Sequence, residues 1–281
     1  MSEKTSNRTH AIAIVLAVVG IVAVAGAFGA AGQLAQDRVQ TQDTAYLRVA
    51  HASPDAPAVD VYVDNQSEMT DVQFGDVGQY LALDAGNHTV TVRPAGDNQT
   101  TVFEGNVTLD ARSVSTLYAA GEVSANSSAP FGPVAVSDDA FTPGANDSAI
   151  RVVHLSPDAP AVDVTTSTAN GTVVLAENVS YANASSYVTV PAGNYTVEVR
   201  GATATNDGPV VATVDVSLSG GEAYSAVALG YLDTSTAPAA TPFQVSLNRD
   251  ATMTVHLPGQ QIQNGNGGPS GNQTGMADLS G

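Results

Sequence analysis

The sequence predicts an all-β chain, with two tandem antiparallel β-sandwich domains of immunoglobulin-like shape behind one N-terminal transmembrane helix. Three observations predict it. A fourteen-residue motif occurs twice, about one small domain apart. Apolar residues around both copies alternate with period two. A long uncharged apolar run precedes them both.

The motif reads Arg48-Val49-Ala50-His51-Ala52-Ser53-Pro54-Asp55-Ala56-Pro57-Ala58-Val59-Asp60-Val61, and it returns from Arg151 to Val164 with twelve of fourteen positions identical. The copies stay aligned beyond it. Tyr80 to Arg93 matches Tyr187 to Arg200, and Thr116 to Gly121 answers Ser225 to Gly230. Pro130-Phe131 followed by Val134-Ala135-Val136 answers Pro242-Phe243 followed by Val245-Ser246-Leu247. The predicted layout is residues 1–10 cytoplasmic, 11–31 transmembrane helix or signal peptide, and 32–44 linker. The first sandwich repeat follows at 45–139, a linker at 140–149, the second repeat at 150–256 and a tail at 257–281. The tail is rich in Gly, Asn and Gln. It holds too little apolar surface to offset ordering entropy and is expected to be disordered.

In the first copy Val59, Val61 and Val63 alternate with Asp60, Tyr62 and Asp64, as Val90 and Val92 do with Thr89, Thr91 and Arg93, and in the second Val197 and Val199 alternate with Glu198. That period predicts strands with one face on a core and one in water. Ala85-Gly86-Asn87 and Ala192-Gly193-Asn194 read as hairpin turns, with glycines supplying positive φ. Phe131 and Phe243 read as core plugs for the last strand.

Twenty-seven acidic residues face nine basic ones, net charge is -18, and the single lysine is Lys4. Self-repulsion of that size loosens a compact fold at low salt, and it fades when the Debye length falls to roughly 3 Å in molar salt. The composition is that expected of an extreme halophile, most simply an archaeon. No basic patch exists to meet phosphates, which excludes nucleic acid as a partner. With no cysteine in the chain, each domain must rest on an ordinary core.

Ala11 to Ala31 gives 21 residues without a charge, preceded by Lys4 and Arg8. The length suits a membrane span, and the flanking charges hold the N-terminus inside. Small residues at its end also suit a cleaved signal peptide, so anchored and secreted forms both stay open. The domains are expected outside the cell in either case.

Twelve of the sixteen asparagines stand in Asn-x-Ser/Thr, where chance placement gives roughly three. Those beyond the apolar run are Asn65, Asn87, Asn98, Asn106, Asn126, Asn146, Asn170, Asn178, Asn183, Asn194 and Asn272. They are candidates for surface glycosylation, although Asn and Thr sharing turns contributes to the excess.

The repeated motif resembles the domain-of-unknown-function 4397 family of exported bacterial and archaeal proteins. The likeness covers both copies and extends to the Ala-Gly-x-Tyr-Thr-Val-x-Val-Arg strand, which the second copy keeps and the first alters at His88. The second copy departs by carrying Thr165-Thr166-Ser167 where the first has Tyr62-Val63-Asp64. The resemblance implies an exported β-domain, often in tandem, and no activity.

Physically the motif is a strand end, a rigid turn and a second strand. Pro54 and Pro157 fix the turn, and Asp55 and Asp158 are expected to accept bonds from nearby backbone N–H groups. His51 shares a strand face with Leu47 and Val49, and is expected at the core edge bonding Asp60 or a loop carbonyl. The leading reading of His51, Asp55, Asp60, His154, Asp158 and Asp163 is structural, with a binding site in the motif loops as its rival. Ca²⁺ held by Asp55 and Asp60 lacks an Asp-x-Asp-x-Asp loop. A glycan or peptide would use Tyr62 or Tyr80. A hydrolase built on His51, Ser53 and Asp60 lacks any nucleophile signature. No transition-metal spacing occurs, and no cofactor is implied. The expectation is a cell-surface protein, its partners the membrane and envelope glycans or proteins, with a structural, adhesive or binding role and no catalysis. Its rivals are a carbohydrate- or Ca²⁺-binding module and a secreted enzyme.

Overall fold

The computed structural model describes residues 43–125, 127–168 and 171–253. The N-terminal apolar run, the tail, and Asn126, Asn170 and Asn272 lie outside the described residues. The described chain contains strands and no helix. The first copy comprises β1 (Thr44–Ala52), β2 (Val59–Val63), β3 (Gln66–Val72), β4 (Leu81–Asp84), β5 (Gly86–Pro94), β6 (Phe103–Leu109), β7 (Val114–Ala120) and β8 (Gly132–Ser137). A short β9 (Ala140–Phe141) follows. The second comprises β10 (Asp147–His154), β11 (Val162–Thr168), β12 (Gly171–Val179), β13 (Asn183–Ala184), β14 (Val188–Pro191), β15 (Gly193–Gly201), β16 (Val210–Leu218), β17 (Ala223–Leu229) and β18 (Gln244–Asp250). It closes with β19 (Thr252–Met253).

Each copy folds into two facing sheets. In the first copy the orders are β4-β1-β7-β8 and β3-β2-β5-β6; in the second, β10-β17-β18 with β13 and β14 on the free side of β10, and β12-β11-β15-β16. One departure from the antiparallel expectation stands at the centre of each copy. β1 runs parallel to β7, and β10 runs parallel to β17. The Ala-Gly-Asn segments are also not hairpins. Gly86, at φ 143°, is a corner where the chain leaves β4 in one sheet and enters β5 in the other. The linker expected at 140–149 is partly strand, since it holds β9 and the first residues of β10.

The expectation of one wet face fails for the central strands, and the reason is a third core. Leu47, Val49 and Leu117 pack inward against Val59, Val61, Val90 and Val92, with Phe131 beside them. Ile150, Val152 and Ala226 do the same against Val162, Val164, Val197 and Val199, with Phe243 beside them. Ala50, Ala52, Tyr118 and Ala120 leave the opposite face of the first inner sheet and join Val153, Leu155, Val227 and Leu229 of the second copy in one shared cluster. The inner sheets are therefore buried on both faces, and the molecule is four sheets deep. This explains why β17 is buried along its whole length, Ser225 included.

The copies are related by an approximate two-fold. Its axis runs along the strands, because Thr252 pairs in parallel with Ala140, the residue two beyond Asp138 as Thr252 is two beyond Asp250. The register of β8 on β7 and of β18 on β17 makes Val136 the equivalent of Asn248. The sequence alignment of this last strand was thus one residue out of step, a slip that exchanges the two faces of a strand.

Candidate functional site

The motif loops were the predicted site, and their polar groups are all engaged inside the fold. His51 and His154 are buried, with Nε2 3.0 Å from the Pro57 carbonyl and 2.9 Å from that of Pro160. Their Nδ1 atoms face the backbone N–H of Ser53 and Ser156 at 3.3 Å, so Nε2 carries the proton. Burial holds both imidazoles below their ordinary pKa, against the pull of those carbonyls. Of the two expectations for His51, the loop carbonyl is its partner and Asp60 is not.

Asp55 and Asp158 bond far from the local turn. Asp55 accepts from Val123 N–H at 2.9 Å, Ser124 N–H at 3.0 Å and the Ser124 hydroxyl at 2.6 Å. Asp158 accepts from Leu232 and Asp233 N–H, both at 2.8 Å. Each aspartate therefore clamps the motif loop to the loop that follows the parallel strand. Asp60 accepts from Asp71 and Gly96 N–H at 2.9 and 3.1 Å, and Asp163 from Asn178 and Thr203 N–H at 2.8 Å. Asp71 and Asn178 have φ of 54° and 47°, and they sit beside irregular pairing of β3 and β12. The carboxylates hold these bulged segments by a backbone donor that the ladder leaves free.

The hydrolase geometry does not form. The Ser53 hydroxyl points to Asp55 at 3.4 Å, and the Ser156 hydroxyl donates to the Gly230 carbonyl at 2.6 Å. Neither reaches its histidine, and both serines are fully buried. Tyr80 is engaged inside the fold, since its hydroxyl donates to Asp138 at 2.9 Å and its ring underlies a guanidinium. Tyr62 bonds Asn98 at 3.2 Å and carries Arg93 4.8 Å above its ring. Among the described residues, no three His, Asp or Glu side chains converge as a metal site.

The charged centre that sequence reasoning missed lies between the copies. Arg48 donates through Nη2 to Asp250 and through Nη1 to the Arg249 carbonyl at 2.7 Å. Its Nε donates to Thr116 Oγ1 at 2.6 Å, which donates to Asp138 at 2.5 Å. Arg151 repeats the pattern with the copies exchanged. It bonds Asp138 and the Ser137 carbonyl across the interface, and Ser225 Oγ at 2.7 Å within its own copy; Ser225 then donates to Asp250 at 2.6 Å. Each guanidinium also lies over a tyrosine ring, Arg48 over Tyr80 at 4.7 Å and Arg151 over Tyr187 at 4.6 Å. All four charged side chains are 4% exposed or less. Burial opposes the Arg48 charge, and the Asp138 and Asp250 carboxylates outweigh it, raising the guanidinium above its usual pKa. Burial, and then the neighbouring carboxylates, raise Tyr80 and Tyr187, which keeps them as hydroxyl donors. A signal was present in the sequence. An arginine sits in both copies between two core residues, Leu47 and Val49 in one and Ile150 and Val152 in the other, and on the face opposite them.

Eight glycosylation candidates fall in the described residues, and all eight are exposed: Asn65, Asn87, Asn98, Asn106, Asn146, Asn178, Asn183 and Asn194. Two of the sequons interlock. Asn87 faces Thr108 and Thr89 faces Asn106 across β5 and β6, and each threonine hydroxyl donates to the opposite carboxamide, at 2.5 and 3.1 Å. Part of the sequon excess is thus a cross-strand hydrogen-bonding pattern, which the second copy repeats with Asn194–Ser217 and Thr196–Asp215.

A family model described as a domain of unknown function, DUF4397, matches residues 45–165 and 166–257. The chain belongs to the DUF4397 family. The two matched segments divide inside β11, whereas the strand repeat of this DUF4397 protein divides between β9 and β10. No curated protein matches it. Among solved structures it is similar to the Bacillus anthracis TIE protein, at 11% identity and TM-score 0.21 over 66% of this chain and 34% of that one. It therefore spans about a third of that protein's length. It is also similar to the family CBM26 module CBMbc from Eubacterium rectale Amy13K, solved with maltoheptaose, at 11% identity and TM-score 0.23 over 74% and 97% of the two chains. A third is a putative cell adhesion protein from Bacteroides fragilis, at 9% identity and TM-score 0.18 over 74% and 98%. Scores this low assign neither fold nor ligand.

Proposed function

We propose that this chain is a non-catalytic cell-surface protein of an extreme halophile, a rigid pair of immunoglobulin-like modules with a structural or adhesive role. The observation that carries the reading is the full engagement of the repeated motif. Every histidine, serine and aspartate in it bonds the fold's own backbone or a neighbouring side chain, so the motif serves as scaffold in both copies. The placement of the first and last strand residues, Thr44 and Met253, supports the surface role. β1 begins beside the start of β7, the end of β8 and the β9–β19 pair, so Thr44 and Met253 leave from one end. The motif loops lie at the other end, about 30 Å away along the nine residues of β1. Carried on residues 11–31 as a membrane anchor, the modules would present those loops outward, with the exposed asparagines as glycan sites.

Protease treatment of intact cells in multi-molar salt tests this. Release of a folded fragment from about residue 43 onward, heavier than its sequence mass, is the expected result. A chain protected from protease until lysis would sink the surface role. Turnover of any ester, peptide or glycoside by the purified chain, lost on a point substitution, would sink the non-catalytic one.

A further inference from the structure

We infer that the face joining the two modules is a pairing surface that admits only unlike modules, so that each module's partner is its companion in the same chain and never a second copy of itself. Only two of the fourteen motif positions differ between the copies, Ala50/Val153 and Ala52/Leu155. Both lie on the joining face. The remaining apolar positions of the inner pair of strands on that face, Tyr118/Val227 and Ala120/Leu229, differ as well. The polar centre is kept, as Arg48/Arg151, Tyr80/Tyr187, Asp138/Asp250 and the hydroxyls of Thr116/Ser225. One module thus offers three alanines around a tyrosine, and the other offers valines and leucines.

A two-fold interface brings residues near its axis against their own equivalents. Glu122 and Tyr231 are such a pair, one residue beyond Gly121 and Gly230. The Tyr231 hydroxyl donates to Glu122 Oε1 at 2.8 Å. Two first modules paired this way would set two Glu122 carboxylates together and two Tyr118 rings beside facing alanines. Two second modules would crowd Val153, Leu155 and Leu229 against their like. Both pairings could keep the four ion pairs. The apolar positions and the axis pair therefore carry the discrimination, as unfavourable contacts in the wrong pairings.

The test exchanges faces in the full chain. Ala50→Val/Ala52→Leu/Tyr118→Val/Ala120→Leu gives the first module the second's face, and Val153→Ala/Leu155→Ala/Val227→Tyr/Leu229→Ala does the reverse. A third variant carries both sets. Calorimetry in multi-molar salt is expected to show each single set lowering the melting midpoint by roughly 10 °C or more, and the combined set recovering over half of the summed loss. Independent sites would add. Additive losses in the combined set, or a single set that melts like the parent, would overturn the inference. Should a four-residue set fail to fold, the exchange Glu122→Tyr with Tyr231→Glu and its two single changes read the same non-additivity at the axis. A cleavage site placed after Thr142 gives a second readout. The cut halves should co-elute one to one at micromolar concentration, and separation into like pairs would refute the pairing.

Discussion

Replacing Arg151 by methionine tests the buried charge centre directly. The substitution keeps the aliphatic volume and removes the guanidinium that bonds Asp138, the Ser137 carbonyl and Ser225. Asp138 is fully buried and keeps only Thr116 at 2.5 Å, Tyr80 at 2.9 Å and Arg48 at 3.7 Å. Leaving one member of a buried pair uncompensated costs about 3–5 kcal/mol. The shared core makes the modules one cooperative unit of about 210 residues, in which each kcal/mol moves the midpoint by roughly 2–4 °C. Calorimetry should therefore show one transition lowered by roughly 6–20 °C. Adding Asp138→Leu to Arg151→Met should recover much of the loss, because no charge is then stranded. The drop should also persist in multi-molar salt, which screens exposed pairs such as Arg249–Glu222 and leaves buried ones largely untouched. A drop that salt abolishes, or a double variant that adds the two single losses, would refute this account of the interface.

Other perturbations separate the remaining roles. Asp55→Ala with Asp158→Ala frees five donors that clamp the motif loops, and because those loops reach solvent the expected loss is only about 2–4 kcal/mol, or roughly 4–16 °C in the melt. Gly230→Ala would put a Cβ 2.3 Å from the Pro242 carbonyl oxygen at φ +78°, and Gly121→Ala would put one 2.4 Å from that of Pro130 at φ +86°; each should lower the melt by about 2 kcal/mol or more, while alanine at Gly132, which meets nothing within 4 Å, should not. The buried histidines set a pH dependence. Burial puts their folded pKa below the ordinary 6.5, so the unfolded chain takes the proton more readily. Their contribution is whole above about pH 6.5 and is lost as pH falls through the folded values. Midpoints measured from pH 8 down to pH 5.5 should decline, and His51→Gln with His154→Gln should flatten that slope; an unchanged slope would count against burial as its cause.

The family, the tandem repeat and the β class were legible because they are local. The period of two at Val59–Val63 reports a strand with its core on one side, and Pro54 and Pro157 report a rigid turn, each within a few residues. Even the motif aspartates were readable as backbone acceptors. Their donors were not, because Val123 and Leu232 approach from about seventy residues away and only the parallel β1–β7 and β10–β17 pairs bring them there. The same limit hid the charge centre. Nothing near Arg48 in the chain shows that its carboxylate is Asp250, 202 positions on, or that Arg151 answers with Asp138. That one fold is built twice can be read along the chain, since hydrophobic period and turn chemistry act over neighbouring residues. That the two copies share a core and exchange ion pairs emerges only on packing, because which surfaces meet depends on the shape of both modules at once.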